Sequence, residues 1–372
     1  MRIHIWSWKN LKRRVGAVLL VLAAVALLKR PQAVATGVSR GLSLCGGVII
    51  PSLFVFLVLA GLWTRTGIGA AFGRRLARPV AWLYRLPSSA ASALLIGWVG
   101  GYPAGAVAVR DLLDRQEITP KQAKRLLCGC VNGGPAFIIG GVGAGMLGSP
   151  AKGAILFLAH LLASFVTGLI FMRGENEPSP SPKAQAKPEP LSTALAASVQ
   201  AACRSMLGMC GFVILCAALL SLTDAWGVGE WLRKVSDGAA GQFGLSLPLG
   251  ALFAGFMEVS CGCVEAARIG ETAPFMLGCI LGWGGISVHG QVASVMAGQR
   301  VLDKTFFAAR GLQALLGGVL SQILFRLIPL STDVLSAGDG AGVQWYTTSI
   351  VAAAALLVLC GLWLLCLPAE RA

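Results

Sequence analysis

Ten apolar runs constrain this chain more than any other feature: residues 15–28, 41–64, 88–109, 126–147, 153–172, 205–223, 245–267, 273–297, 305–328 and 345–367. A helix needs about 20 apolar residues to cross a hydrocarbon core about 30 Å thick. Most of the runs meet that length, so the chain reads as an all-α polytopic membrane protein. The run 15–28 is short, about 21 Å at the helical rise, and leans on Arg13, Arg14, Lys29 and Arg30 reaching out to the interface. Its basic start and the Ala33-Val34-Ala35 that follows also fit a signal peptide with a cleavage site. The chain's immediate return to apolar sequence favours an anchor helix instead.

Composition excludes the other broad classes. At 56% hydrophobic and 13% charged, the chain is neither an ordinary soluble enzyme nor a disordered polymer. A net charge of +15 on a soluble domain would suggest nucleic acid. Here the bases lie between apolar runs and set membrane orientation, so the expected partners are the bilayer and a small-molecule substrate, with no nucleic acid. The 11 cysteines lack the spacing of a disulfide framework. The Cys128/Cys130 and Cys261/Cys263 pairs read as small packing residues, not metal ligands. No nucleotide loop, zinc-helix motif or nucleophile elbow is present, so no catalytic residues, cofactor or metal are expected.

The Pro-rich polar stretch 174–190 is a linker between two similar halves. Gly97–Gly105 in the first half answers Gly255–Cys263 in the second, and Asn132–Phe137 answers Trp283–Val288. Each pair interrupts an apolar run, and each half then ends in one more long helix. Close helix packing accounts for Gly317-Gly318. It accounts less well for Gly100-Gly101-Tyr102-Pro103 or Asn132-Gly133-Gly134-Pro135, where proline also removes a backbone donor. Corresponding interruptions in two weakly similar halves point to a transporter site.

Charge decides between two topologies. If every run crosses, the bases divide almost evenly. If 88–109 and 245–267 are re-entrant hairpins, 22 bases fall on the cytoplasmic side and 8 outside, with Arg310 inside a helix. The positive-inside rule selects the hairpins. They then enter from opposite faces, and the repeat is inverted. The expected organisation is an anchor helix at 1–36, a first repeat at 37–173, a cytoplasmic linker at 174–190, a second repeat at 191–329 and a C-terminal helix at 330–372.

Broken helices at membrane depth are tolerated only in protein or beside a wet cavity, where their free ends bind ions and polar groups. The candidate substrate-binding residues are therefore Gly100, Gly101, Tyr102, Asn132, Gly133, Gly134, Ser260, Gly284, Gly285, Ser287 and Arg310. Glu258, an acid at a hairpin tip, and His289 are candidates for a coupling ion or proton. Neutral alternatives stand beside each: a protonated Glu258 bonded to backbone, a core His289, and an Arg310 that partners Glu258 or a helix C-terminus. Glu265 and Arg268 read as a local ion pair, and His160 and Arg310 fall in matching helices of the two halves.

These motifs carry a resemblance. Gly100–Ala106, Lys121–Leu127, Asn132–Gly140, Gly145–Pro150, Glu258–Gly262 and Gly282–Val292 together resemble the sporulation integral membrane protein YlbJ (SpoVV) family, over residues 37–328. Both halves are similar to the nucleoside-recognition Gate domain of nucleoside and ferrous-iron transporters. One departure stands at Cys261, near which family members often carry asparagine. The resemblance implies a fold like that of concentrative nucleoside transporters, a bacterial membrane around the forespore, and movement of dipicolinic acid across it. A Gate-type carrier of nucleosides and a non-transporting scaffold in spore assembly are the other readings.

Overall fold

A computed structural model of the chain describes residues 8–174, 189–243, 248–270 and 273–328. The C-terminal run 345–367 and most of the 174–190 linker lie outside the described residues. Among the described residues every regular element is a helix, and five helical segments are long and apolar enough to cross a membrane.

The first helix, α1 (Trp8–Lys29), ends where Pro31 opens the next. Helices α2 (Pro31–Leu44) and α3 (Ile50–Arg65) then form one 35-residue rod, joined by a π-helical turn at Cys45–Ile49. Pro51 is the reason for that turn. It has no N–H to give to the preceding turn, and the wider π turn absorbs the missing bond. The rod begins ahead of the boundary expected at 37. After a left-handed Gly67 comes α4 (Ile68–Tyr84), an amphipathic helix absent from the apolar runs.

The run 88–109 divides at Gly101 into α5 (Ala90–Gly100) and α6 (Tyr102–Asp114). Arms of 11 and 13 residues reach only about 16–20 Å, and they pack against each other as a hairpin. The run 126–147 belongs to α7 (Pro120–Cys130), a break at 131–135, and a π-helix at Ala136–Met146. A Thr119–Gln122 capping box with Pro120 in the first turn starts α7. Helix α8 (Pro150–Phe171), capped by Ser149, closes the first repeat.

The second repeat retraces this order. Helix α9 (Leu191–Ala225) again has 35 residues and is followed by the amphipathic α10 (Val228–Phe243). The second hairpin is α11 (Leu249–Met257) and α12 (Val259–Ala266), broken at Glu258. Helices α13 (Ala273–Trp283) and α14 (Gly285–Val295) are divided at Gly284. Helix α15 (Lys304–Leu327) starts on an Asp303 cap and matches α8.

The two repeats run in opposite directions. Gly37 lies on Ala217 and Ala218, Gly41 on Ile214, Cys45 on Cys210 and Gly61 on Ser198. Rising numbers on the α2–α3 rod meet falling numbers on α9, so equivalent helices are antiparallel and the repeat is inverted. Small residues at these positions let the backbones meet. Glycines also draw each hairpin closed. A Cβ on Gly105 would meet Gly97 Cα at 3.0 Å across the first hairpin, one on Gly262 would strike Gly255 across the second, and one on Gly97 or Gly105 would also strike the Cys130 carbonyl at the end of α7.

Side-chain ties gather one set of helix ends on one face. Arg125 donates to the carbonyls of Met172 (2.6 Å) and Tyr84 (2.7 Å), at the ends of α8 and α4. Arg110 donates to Ala297 just past α14, Lys124 pairs with Asp303 before α15, and Arg65 pairs with Glu189 ahead of α9. Segments 65–87, 110–125 and 298–304 therefore share a face, as the hairpin topology requires. Large apolar side chains such as Val55, Ile170, Leu207 and Leu215 cover the outside, while Asn132, His160, Glu258, Arg310 and Gln313 are buried. This is the polarity of a chain whose solvent is lipid.

Candidate functional site

The four breaks meet. A Cβ on Gly134 would lie 2.9 Å from the Val99 carbonyl and 3.0 Å from the Gly101 nitrogen, so the first interrupted helix touches the tip of the first hairpin. A Cβ on Gly285 would lie 3.0 Å from the Val259 nitrogen and 3.1 Å from Glu258 Cα, the same relation in the second repeat. Tyr102 joins the two. Its hydroxyl donates to the Leu281 carbonyl at 2.7 Å, and its ring edge borders Gly284. Gly101, Gly284 and Gly285 all have positive φ, at 88°, 84° and 81°, which only glycine adopts without strain.

Half-helix N-termini open at this junction. Helix α6 starts at Gly101 and α14 at Gly284, neither with a side-chain cap. Helix α12 is different: Glu258 caps it, one carboxylate oxygen accepting the Cys261 N–H at 2.7 Å. Ser260 is buried in the first turn of the same helix. Ser287, in the first turn of α14, is 1% exposed, and its hydroxyl finds no hydrogen-bond partner among the described residues. Gly100 lies at the end of α5, a step from the tip.

The first break is held by side chains from both repeats. Asn132 donates to the Gly129 carbonyl at 2.7 Å and accepts from Gln313 at 2.8 Å. His160 Nε2 accepts the Gly133 N–H at 3.1 Å. Arg310, 1% exposed, donates to the carbonyls of Cys128 and Val131, the C-terminal end of α7. Of the roles the sequence left open for Arg310, this is the helix C-terminus, where a guanidinium offsets the dipole and satisfies freed carbonyls. The matching positions 160 and 310 thus serve the same break. Gln313, central to the cluster, carries no signal in the sequence, because a glutamine within an apolar run has no distinguishing pattern.

The second break is lined by rings. Trp283 stacks on Phe256 (centroids 5.5 Å, planes 10° apart) and donates its indole N–H to the Phe256 carbonyl at 3.3 Å. His289 Nε2 lies 3.0 Å from the Trp283 carbonyl, to which it donates, and its ring meets Trp283, Phe306 and Phe307 edge-on. The Glu265–Arg268 pair forms at 3.6 Å, exposed and away from the junction.

No protein-family model matches the chain. It is 28% identical over 345 residues to the sporulation integral membrane protein YlbJ of Bacillus subtilis (strain 168), covering 86% of this chain and 83% of that protein. A solved structure of CNTnw, a concentrative nucleoside transporter, in an intermediate state superimposes with a TM-score of 0.54 at 14% identity, covering 86% of this chain and 88% of the other. Helix order, inverted repeat and paired hairpins thus agree with the fold of CNTnw, and the sequence is similar to that of YlbJ along most of both chains: this chain is an integral membrane protein similar to YlbJ.

Proposed function

We propose that the chain carries a small anionic solute through the membrane, and that the solute is dipicolinic acid crossing a membrane around the forespore. The observation that carries the reading is the meeting of two interrupted helices and two hairpin tips around Tyr102 and Gly284. Two uncapped half-helix N-termini, at Gly101 and Gly284, offer N–H groups and positive dipole ends to an anion. Ser287 adds a hydroxyl. A planar dianion with two carboxylates suits two such ends, and Tyr102 or Trp283 offers a ring to stack on. In this reading Gly100, Gly101, Tyr102, Gly133, Gly134, Ser260, Gly284, Gly285 and Ser287 surround the solute. Asn132 and Arg310 hold the first break open from behind.

Glu258 would repel a dianion, so its part is a coupling proton or cation at the second tip, with His289 beside the same break. The choice of dipicolinate rests on YlbJ's place in sporulation and on the anion-binding character of the junction. A nucleoside is the second reading, favoured by the CNTnw fold.

Flux into proteoliposomes of purified protein separates these readings. Uptake of radiolabelled dipicolinate that unlabelled nucleosides do not inhibit supports the proposal. Nucleoside uptake alone supports the second reading, and no flux of either leaves the chain as a scaffold.

A further inference from the structure

Helices α4 and α10 occupy the same place in the two repeats, each between a 35-residue rod and a hairpin, yet their exposed faces differ in charge. On α4, Arg75, Arg78 and Trp82 follow one another at helical spacing, and Arg85 continues the line at the helix end. All four are exposed, Trp82 at 79%. The other side of the helix presents Val80, Leu83 and Tyr84 to the core. No acid occurs between Ile68 and Arg85.

The neighbouring cations on this face have acids of their own: Arg65 with Glu189, Arg110 with Asp114 and Lys124 with Asp303. Arg78 and Arg85 make no ion pair with a described residue. On α10 the exposed tryptophan is Trp231, in the first turn, and the nearby Lys234 is taken by Glu230 at 2.9 Å. On α4, Arg78 and Arg85 thus stand without an ion pair among the described residues, whereas on α10 Lys234 is neutralised within its own helix.

We propose that the Arg78–Trp82–Arg85 face of α4 binds the headgroups of anionic phospholipids in the leaflet it borders. Helix α4 follows directly on the end of a membrane-crossing rod, and with 17 residues and three internal arginines it is built to lie in the interface. Guanidinium groups take phosphate oxygens two at a time. Tryptophan settles at headgroup depth, between Arg78 and Arg85. An acidic soluble protein would not favour a 79% exposed indole at the centre of the contact, whereas a headgroup layer with acyl chains beneath it does.

The test is native mass spectrometry of the full-length protein extracted from bilayers of equal parts phosphatidylglycerol and phosphatidylcholine. The parent and an α10 control, Arg233→Gln/Lys234→Gln, are expected to retain phosphatidylglycerol preferentially. Arg78→Gln/Arg85→Gln is expected to lose that preference, with occupancy about tenfold lower or more, and each single variant should fall between. Melting in phosphatidylcholine alone checks that the variants are folded and should be unchanged. Equal phosphatidylglycerol retention by the parent and the double variant would overturn the proposal. So would no preference in the parent, or displacement of the lipid by millimolar inorganic phosphate.

Discussion

Replacing Gly285 with alanine tests the convergence of the breaks through its energetics. At φ 81° the residue is in left-handed backbone, and the new Cβ would meet the Val259 nitrogen at 3.0 Å and Glu258 Cα at 3.1 Å. The first effect costs about 1–2 kcal/mol. The second forces a hairpin tip made of backbone, not a flexible side chain, to give way, at about 1–3 kcal/mol. The sum is about 2–5 kcal/mol. Gly208 and Gly211 on α9 are the controls, because a Cβ there meets nothing within 4 Å. Alanine in those helical positions should stabilise by about 0.5–1 kcal/mol. Thermal unfolding of purified protein in detergent, followed by tryptophan fluorescence, should place Gly285→Ala well below the parent and both controls at or above it. Gly285→Ala melting together with the controls would refute the close approach of the second break to the second hairpin.

Valine at Gly101, Gly134 or Gly285 should abolish flux while leaving protein in the membrane; full flux from all three would make them packing residues only. Tyr102→Phe removes the donor to the Leu281 carbonyl and should destabilise by about 1–3 kcal/mol, the cost of leaving a buried acceptor unmet, read as a lower melting temperature. Glu258→Gln keeps the shape of the α12 cap and removes the titratable group. It should transport without concentrating and lose any dependence on pH or sodium, whereas parental behaviour across pH would remove Glu258 from coupling. At Asp303, partial burial is outweighed by Lys124 and the Thr305 N–H, which hold the carboxyl below its ordinary value of 3.8. Its contribution is therefore present at neutral pH and lost as pH falls through that lowered value. The pair is about one-third exposed, so Asp303→Asn should cost at most about 1 kcal/mol at pH 7, and the difference from the parent should vanish in acid.

The breaks were legible because glycine and proline interrupt a helix wherever they cluster inside apolar sequence. Gly101, Asn132–Pro135, Glu258 and Gly284 are where the helices divide. The charge count found the hairpins because loop bases record orientation, not packing. Helices α4 and α10 were missed, since an amphipathic helix such as Ile68–Tyr84 breaks every apolar run with arginine. The start of the first rod was also hidden, because Gln32, Ser39 and Arg40 read as loop although they lie on one continuous helix. The work of His160, Gln313 and Arg310 depends on which backbone ends α8 and α15 pass, and only tertiary structure supplies that.

What occupies the junction decides whether the chain is a carrier of this kind. An electron cryomicroscopy structure of the protein in lipid nanodiscs with saturating dipicolinate measures that directly. Solute density is expected within the ring of Gly101, Tyr102, Gly134, Gly284, Gly285 and Ser287, with its carboxylates at the starts of α6 and α14. Solute held elsewhere, with this junction closed by backbone as tightly as in its absence, would contradict the transport site proposed for these breaks.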